Sequence, residues 1–232
     1  MSAPTFSVDV GNSSIGVVAW EDGSPRLVRH ADPESAADGL RGDVAIIAVS
    51  RARLARLLIA LPAEARPRVL ERPPGGLGAS DLLATAGADR VAAALALLPG
   101  PAIAVDAGTA ATVELVDGKG RYLGGFIAPG PAAAAAGLAE ATARLPRLDG
   151  TPAPLEPGGE TRTALAAGTW GLAVGGLDRL VELARAALGG DSVRVVATGG
   201  WSEAWKRDTR ISSVELDDML VHRGILRWAA GG

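Results

Sequence analysis

TFSVDVGNSSIGVVAW at residues 5–20 and AIAVDAGTAATVELV at residues 102–116 are two renderings of one design. In each, a short apolar run ends in an Asp-x-Gly step followed by Asn or Thr, and a second apolar run returns. Strand, tight turn, strand is the signature of a hairpin. A turn and a third run follow in both copies: Glu21-Asp22-Gly23 then Arg26–His30, and Asp117-Gly118 then Arg121–Ile127. Asp9 and Asp106 stand 97 positions apart, close to half the chain without its tail. The repetition reads as an internal duplication. Pro99-Gly100-Pro101 breaks the chain just before the second copy, so two domains are expected, 1–100 and 101–232.

The segments around the two copies alternate between strand and helix. DVAIIAVS at 43–50 is a continuous apolar run, typical of a strand buried on both faces. Leu54, Leu57, Leu58 and Leu61 follow at helical spacing. Pro62 and Pro67 bound a loop, and Arg68–Arg72 reads as a short strand. Ala88–Leu98, Gly130–Ala143 and Glu160–Leu188 read as helices. Gly168, Gly171, Gly175 and Gly176 in the last suit close helix packing or a break near Gly175-Gly176. Val193–Ala197 is a buried strand ended by Thr198-Gly199-Gly200. Ile211–Leu216 is a last strand and Asp217–Ala229 a closing helix. Strands and helices in this order define an α/β protein.

Composition narrows the chemistry. With 232 residues, 48% hydrophobic and 21% charged, the chain can bury a sizeable core without staples. The absence of cysteine removes disulfides, thiolate metal sites, iron–sulfur clusters and a Cys nucleophile. Two histidines, His30 and His222, far apart in sequence, argue against a His-rich zinc centre. No G-x-S-x-G elbow supports a Ser-His-Asp triad. A net charge of −3, with basic residues spread apart from a cluster in Arg51–Arg56, argues against a nucleic-acid face. No apolar run reaches the ~18 residues of a membrane span, and no basic-then-apolar opening marks an export signal. A cytoplasmic protein with no membrane partner is the expectation. Neither G-x-x-x-x-G-K-[ST] nor a G-x-G-x-x-G after a strand occurs, so a P-loop and a dinucleotide fold are both unsupported.

The duplicated turns carry the chemistry. Gly11, in Asp9-Val10-Gly11-Asn12-Ser13, permits close backbone approach to a phosphate, and Asp9 can hold Mg²⁺, usually through water. An ordinary hairpin with turn-making Asp and Asn accounts for this loop equally well when it is taken alone. The second copy, Asp106-Ala107-Gly108-Thr109-Ala110-Ala111-Thr112, adds the hydroxyls of Thr109 and Thr112. Two such loops facing each other across a cleft would grip the phosphates of a nucleotide, and the pair favours ligand binding over a bare duplication. Gly124–Gly130 ends a strand and opens a helix, an anion-friendly joint or a plain connection. Thr198-Gly199-Gly200 borders an adenine or ribose site or is a tight turn. Asp89 beside Arg90 at a helix start pairs a base with an anion clamp, or is a first-turn Asp with a surface Arg.

These loops resemble those of the superfamily of actin, sugar kinases and the large heat-shock chaperones. Within it the chain resembles the type III pantothenate kinases. The matching motifs run in order: DVGNS at 9–13, GADR at 87–90, DAGTAAT at 106–112, GGFIAPG at 124–130, ATARLP at 141–146, Thr161, TGG at 198–200 and LVHRGI at 220–225. The resemblance implies a duplicated ribonuclease H-like fold with mixed sheets and an active site in the cleft between its domains. It also implies a homodimer and transfer of the ATP γ-phosphoryl to pantothenate, the first step of coenzyme A synthesis. It assigns Asp9, Gly11, Asn12 and Ser13 to a phosphate and Mg²⁺ loop. Asp106, Gly108, Thr109 and Thr112 fall to a second phosphate loop. Asp89 is the implied general base. Gly87, Ala88, Arg90 and Thr161 are the implied pantothenate contacts.

Three departures from the family pattern stand out. Ser13 replaces a Thr and keeps the hydroxyl. Glu114 replaces an Asp that ligates a monovalent cation, K⁺ or NH₄⁺. The Pro- and Gly-rich segment Arg72–Ala86 lacks the Tyr that lines the pantothenate pocket, Tyr122 being the one Tyr of the chain. Two other functions remain open on the sequence: a non-catalytic member acting as a regulatory or binding protein, and a kinase for another small hydroxylated acceptor.

Overall fold

The computed structural model describes residues 4–20, 25–72, 77, 85–190 and 192–231. The chain divides into two compact units: unit 1 comprises Met1–Pro101, Val116–Gly124 and Asp218–Gly232, and unit 2 comprises Ala102–Leu115 and Gly125–Asp217.

Unit 1 is built on a five-stranded sheet: β1 (Phe6–Val10), β2 (Ile15–Ala19), β3 (Arg26–His30), β4 (Gly42–Ala48) and β5 (Ala65–Val69), in the order β3-β2-β1-β4-β5. β1 runs antiparallel to β2 and parallel to β4. Alternation along β1 sends Phe6, Val8 and Val10 to one face, where they join a core with Ala36, Ala37, Leu40 and Leu57. Those partners come from or adjoin two helices, α1 (Pro33–Ala37) and α2 (Arg51–Ala60). Ser7 and Asp9 therefore face the other side, where α3 (Ala88–Ala96) and α7 (Leu220–Ala230) pack. There Ser7 Oγ meets His222 Nδ1 at 2.9 Å.

Unit 2 repeats the plan with β6 (Ala102–Ala107), β7 (Ala110–Val116), β8 (Tyr122–Pro129), β9 (Arg194–Thr198) and β10 (Val214–Leu216). Its order is β10-β9-β6-β7-β8, the order of the first sheet with each strand replaced by its counterpart. β6 and β9 are parallel, as are β9 and β10. α4 (Pro131–Ala141), α5 (Thr161–Leu188) and α6 (Ser202–Asp208) belong to this unit. Trp170 and Trp205 are fully buried in its core, and each indole N–H finds a carboxylate: Asp208 at 2.8 Å and Asp178 at 2.8 Å. Partnering buries the large apolar rings without stranding a donor.

Several sequence expectations shift. Asp217–Ala229 was expected to close the second domain, yet α7 packs in unit 1. Its buried residues Leu220, Val221, Ile225 and Trp228 need an apolar partner, and Gly224 sits so close to Ala92 of α3 that a Cβ would overlap the Ala92 carbonyl oxygen. Arg227 then donates to the α3 C-terminal carbonyls of Leu95 (2.7 Å) and Leu98 (2.6 Å). Pro67 lies inside β5 rather than bounding a loop. β5 is an edge strand, where a missing N–H costs no ladder bond. Of the two readings of the glycines in α5, a break at Gly175-Gly176 is not found: the helix runs unbroken for 28 residues, from a Glu160/Thr163 capping box to Gly189 in the left-handed conformation (φ 103°). α1 was not anticipated, although Asp32 accepting from Ser35 N (2.8 Å) with Pro33 in the first turn is a strong start signal.

Candidate functional site

In unit 1 the site is assembled at the C-terminal ends of β1 and β4. The turn after β1 is closed by Gly11 N donating to Ser14 O at 3.1 Å, and a Cβ on Gly11 would meet that oxygen at 3.0 Å. Asn12 and Ser13 are exposed at its tip, and Asp9 is half-buried one residue before the strand ends. Val49 N donates to Val10 O at 3.0 Å, which draws the end of β4 alongside the turn. The start of α3 lies against the same end: a Cβ on Gly87 would come within 3.7 Å of Val49 Cγ1. Asp89 is in the first turn of α3, half-buried, with its Oδ1 accepting from Arg90 N at 2.8 Å. Gly87 leaves this carboxylate its place, since a Cβ there would stand 2.6 Å from Asp89 Oδ1 and push it aside. The fold therefore brings Asp9, Gly11, Asn12, Ser13, Gly87, Ala88, Asp89 and Arg90 to one end of one sheet.

Unit 2 builds the corresponding turn. Asp106 pairs across to Thr198 of β9, and Gly108 and Thr109 link β6 to β7. Gly199, at φ 96°, passes so close that a Cβ would lie 2.5 Å from Asp106 Oδ1 and 2.6 Å from Ala107 O. Gly130 crowds the turn from the β8 end: its N–H donates to Thr109 O at 2.9 Å, and a Cβ would overlap Gly108 O. Thr109 is exposed, whereas Thr112 is nearly buried within β7. Glu114 is wholly buried, not solvent-facing, and a Cβ on Gly125 would stand 2.8 Å from its Oε2. Thr161 is the first residue of α5, exposed, and away from the turn in sequence. The segment whose missing Tyr bears on the acceptor pocket lies largely outside the described residues, and Tyr122 is buried in β8.

Asp9 in unit 1 and Asp106 in unit 2 each place a carboxylate near the end of a strand, beside a glycine turn, and such hard oxygen donors suit Mg²⁺. Among the described residues no three His, Asp or Glu side chains converge as a closed metal cage. No helix among the described residues is long and apolar enough to cross a membrane.

Sheet order and paired Asp-x-Gly turns define an actin and sugar-kinase-like fold. Solved structures agree: a Baf family transcriptional activator from Campylobacter jejuni matches 97% of each chain at TM-score 0.63 and 19% identity. A 2-dehydro-3-deoxygalactonokinase protein from Sinorhizobium meliloti matches 97% of this chain and 95% of its own at TM-score 0.54 and 16% identity. At such identities the likeness concerns the fold alone.

The family model of type III pantothenate kinase matches residues 43–183. A type III pantothenate kinase from Thermus thermophilus is 41% identical over 151 residues, 61% of this chain and 57% of the relative. Another, from Frankia alni, is 33% identical over 217 residues, 84% of this chain and 86% of the relative. The chain belongs to the type III pantothenate kinase family. It spans about half the length of most of the curated relatives it matches first.

Sequence reasoning missed Trp201. It follows directly on Thr198-Gly199-Gly200, and its indole N–H donates to Gly108 O at 2.9 Å. An aromatic with a polar tip immediately after a Gly-Gly turn was the available signal.

Proposed function

We propose that this protein transfers the γ-phosphoryl group of ATP to the primary hydroxyl of pantothenate, giving 4'-phosphopantothenate and ADP at the start of coenzyme A synthesis. One observation carries the reading: two sheets of the same order each end in an Asp-x-Gly turn, and a carboxylate, Asp89, begins a helix set beside the first of them. Asp9, Gly11, Asn12 and Ser13 form one phosphate loop in this reading, and Asp106, Gly108, Thr109 and Thr112 the other. Asp89 accepts the proton of the pantothenate hydroxyl as its oxygen attacks the γ-phosphorus and the bond to ADP breaks. Arg90, with the Gly87-Ala88 backbone and Thr161, orients the acceptor. Asp9 would hold Mg²⁺ bound with ATP, and the ion would neutralise phosphate charge. Glu114 is the candidate ligand of a monovalent cation. The protein works as a homodimer in the cytoplasm.

Retention of all three carboxylates, Asp9, Asp89 and Asp106, supports catalysis over a purely regulatory role. Incubation with ATP, Mg²⁺ and pantothenate followed by mass analysis tests the reaction. Asp89→Asn lowers kcat by about 10²–10⁴-fold, the usual contribution of a positioned base, and leaves ATP binding in place. Turnover near wild type in that variant rejects the assignment. Light scattering that gives the monomer mass at micromolar concentration rejects the dimer.

A further inference from the structure

We propose that Trp201 is a positioning residue that clamps the second phosphate loop, setting its amide groups for the nucleotide; the inference rests on the kinase reading above. Three consecutive carbonyl oxygens of the loop are each held by a donor. Ala107 O accepts from Trp201 N at 3.1 Å, Gly108 O from Trp201 Nε1 at 2.9 Å, and Thr109 O from Gly130 N at 2.9 Å. A trans peptide is planar, so its N–H points away from its C=O. Fastening those three oxygens therefore also fixes the directions of the amide N–H groups of Gly108, Thr109 and Ala110. Successive N–H groups set in a turn form an anion-binding concavity.

The turn after β1 is organised differently. Its closure is internal, Gly11 N to Ser14 O at 3.1 Å. The unit 2 turn depends on a side chain from 93 positions further along the chain. That side chain is itself set by packing. The Trp201 and Trp170 rings meet edge to face, with centroids 5.8 Å apart and planes at 74°. Trp170 is 1% exposed and its N–H is bonded to Asp208. The clamp has a rigid footing in the core, and glycine at 199 lets Trp201 approach, since any Cβ there would strike Ala107. Loss of the indole N–H leaves Gly108 O without its donor and frees the peptide to rotate. Nucleotide affinity falls, while the acceptor side is untouched.

The test compares Trp201→Phe, which keeps an aromatic ring but has no N–H, with Trp205→Phe, which removes an indole N–H from the same core but leaves the clamp bond in place. Steady-state kinetics and calorimetry with Mg·ATP are run on both and on wild type. Trp201→Phe raises the ATP KM and the Mg·ATP Kd by roughly fivefold to tenfold, about the worth of one hydrogen bond, with the pantothenate KM unchanged. Trp205→Phe changes thermal stability without that split. Should Trp201→Phe not fold, Trp201→His, which keeps a ring N–H, is compared with Trp201→Leu. An ATP Kd in Trp201→Phe within twofold of wild type, or the same KM changes in both Phe variants, overturns the clamp alone. Wild-type protein that binds no Mg·ATP overturns the kinase reading and the clamp with it.

Discussion

Acidification should destabilise this protein through one buried side chain, His222. The ring is 3% exposed. Its Nδ1 lies 2.9 Å from Ser7 Oγ, which also accepts from Trp20 Nε1 at 2.9 Å. On the other side, Gly16 of β2 lies so close that a Cβ there would come within 2.8 Å of its Nε2. Burial first, and the Arg29 charge second, push the ring from 6.5 down to about 3. The folded ring thus holds its proton more weakly than the unfolded one. Between those values the unfolded state binds more protons, so stability is full above about pH 6.5 and falls as pH drops towards 3. From the two pKa values the loss is about 1 kcal/mol at pH 6 and about 2 kcal/mol at pH 5. Asp32, Asp117 and Asp208 are held below the usual carboxylate range by hydrogen bonds, so their contribution is lost only at lower pH. Urea unfolding of wild type and His222→Gln at pH 7.5, 6 and 5 measures the effect. The variant is less stable at pH 7.5 but loses about 2 kcal/mol less on going to pH 5. Parallel pH profiles for the two proteins would refute a buried neutral imidazole.

Other consequences are as direct. Asp9→Ala abolishes Mg²⁺-dependent nucleotide binding in calorimetry without unfolding the protein, and unchanged Mg·ATP affinity moves the role to Asp106. Gly224→Ala forces α7 away from α3 and costs about 1–3 kcal/mol, the usual penalty of overpacking. Because α3 carries Asp89, kcat falls in the same variant; a wild-type melting temperature and kcat would contradict the packing argument. Replacing K⁺ by Na⁺ at constant ionic strength changes activity only modestly, since Glu114 carries its carboxylate about one C–C bond (~1.5 Å) further than Asp. Glu114→Asp strengthens the K⁺ dependence, and near-complete loss of wild-type activity in Na⁺ shows instead that a tight site survives with Glu.

The features legible in the sequence are local ones. A strand that ends in Asp-x-Gly announces itself by β-branched residues and a turn residue within a few positions, and finding the pattern twice disclosed a duplicated sheet. Asp89 could be placed at a helix start because Gly87 and the Ala/Leu run beside it are neighbours in the chain. Helix caps are as local, and α1 was there to be read in Asp32-Pro33. What the periodicity of Asp217–Ala229 could not say was which sheet would bury it. An amphipathic face specifies that it must be covered, not by what, and the seat was decided by Gly224 against Ala92 and by Arg227 on the carbonyls of α3. Pro67 could join a strand only because β5 lies at an edge, a property of the sheet. Nor does anything near Gly108 point to Trp201: a hydrogen bond across 93 residues exists only once two strands and a helix are packed, because the donor's position is set by the core beneath it.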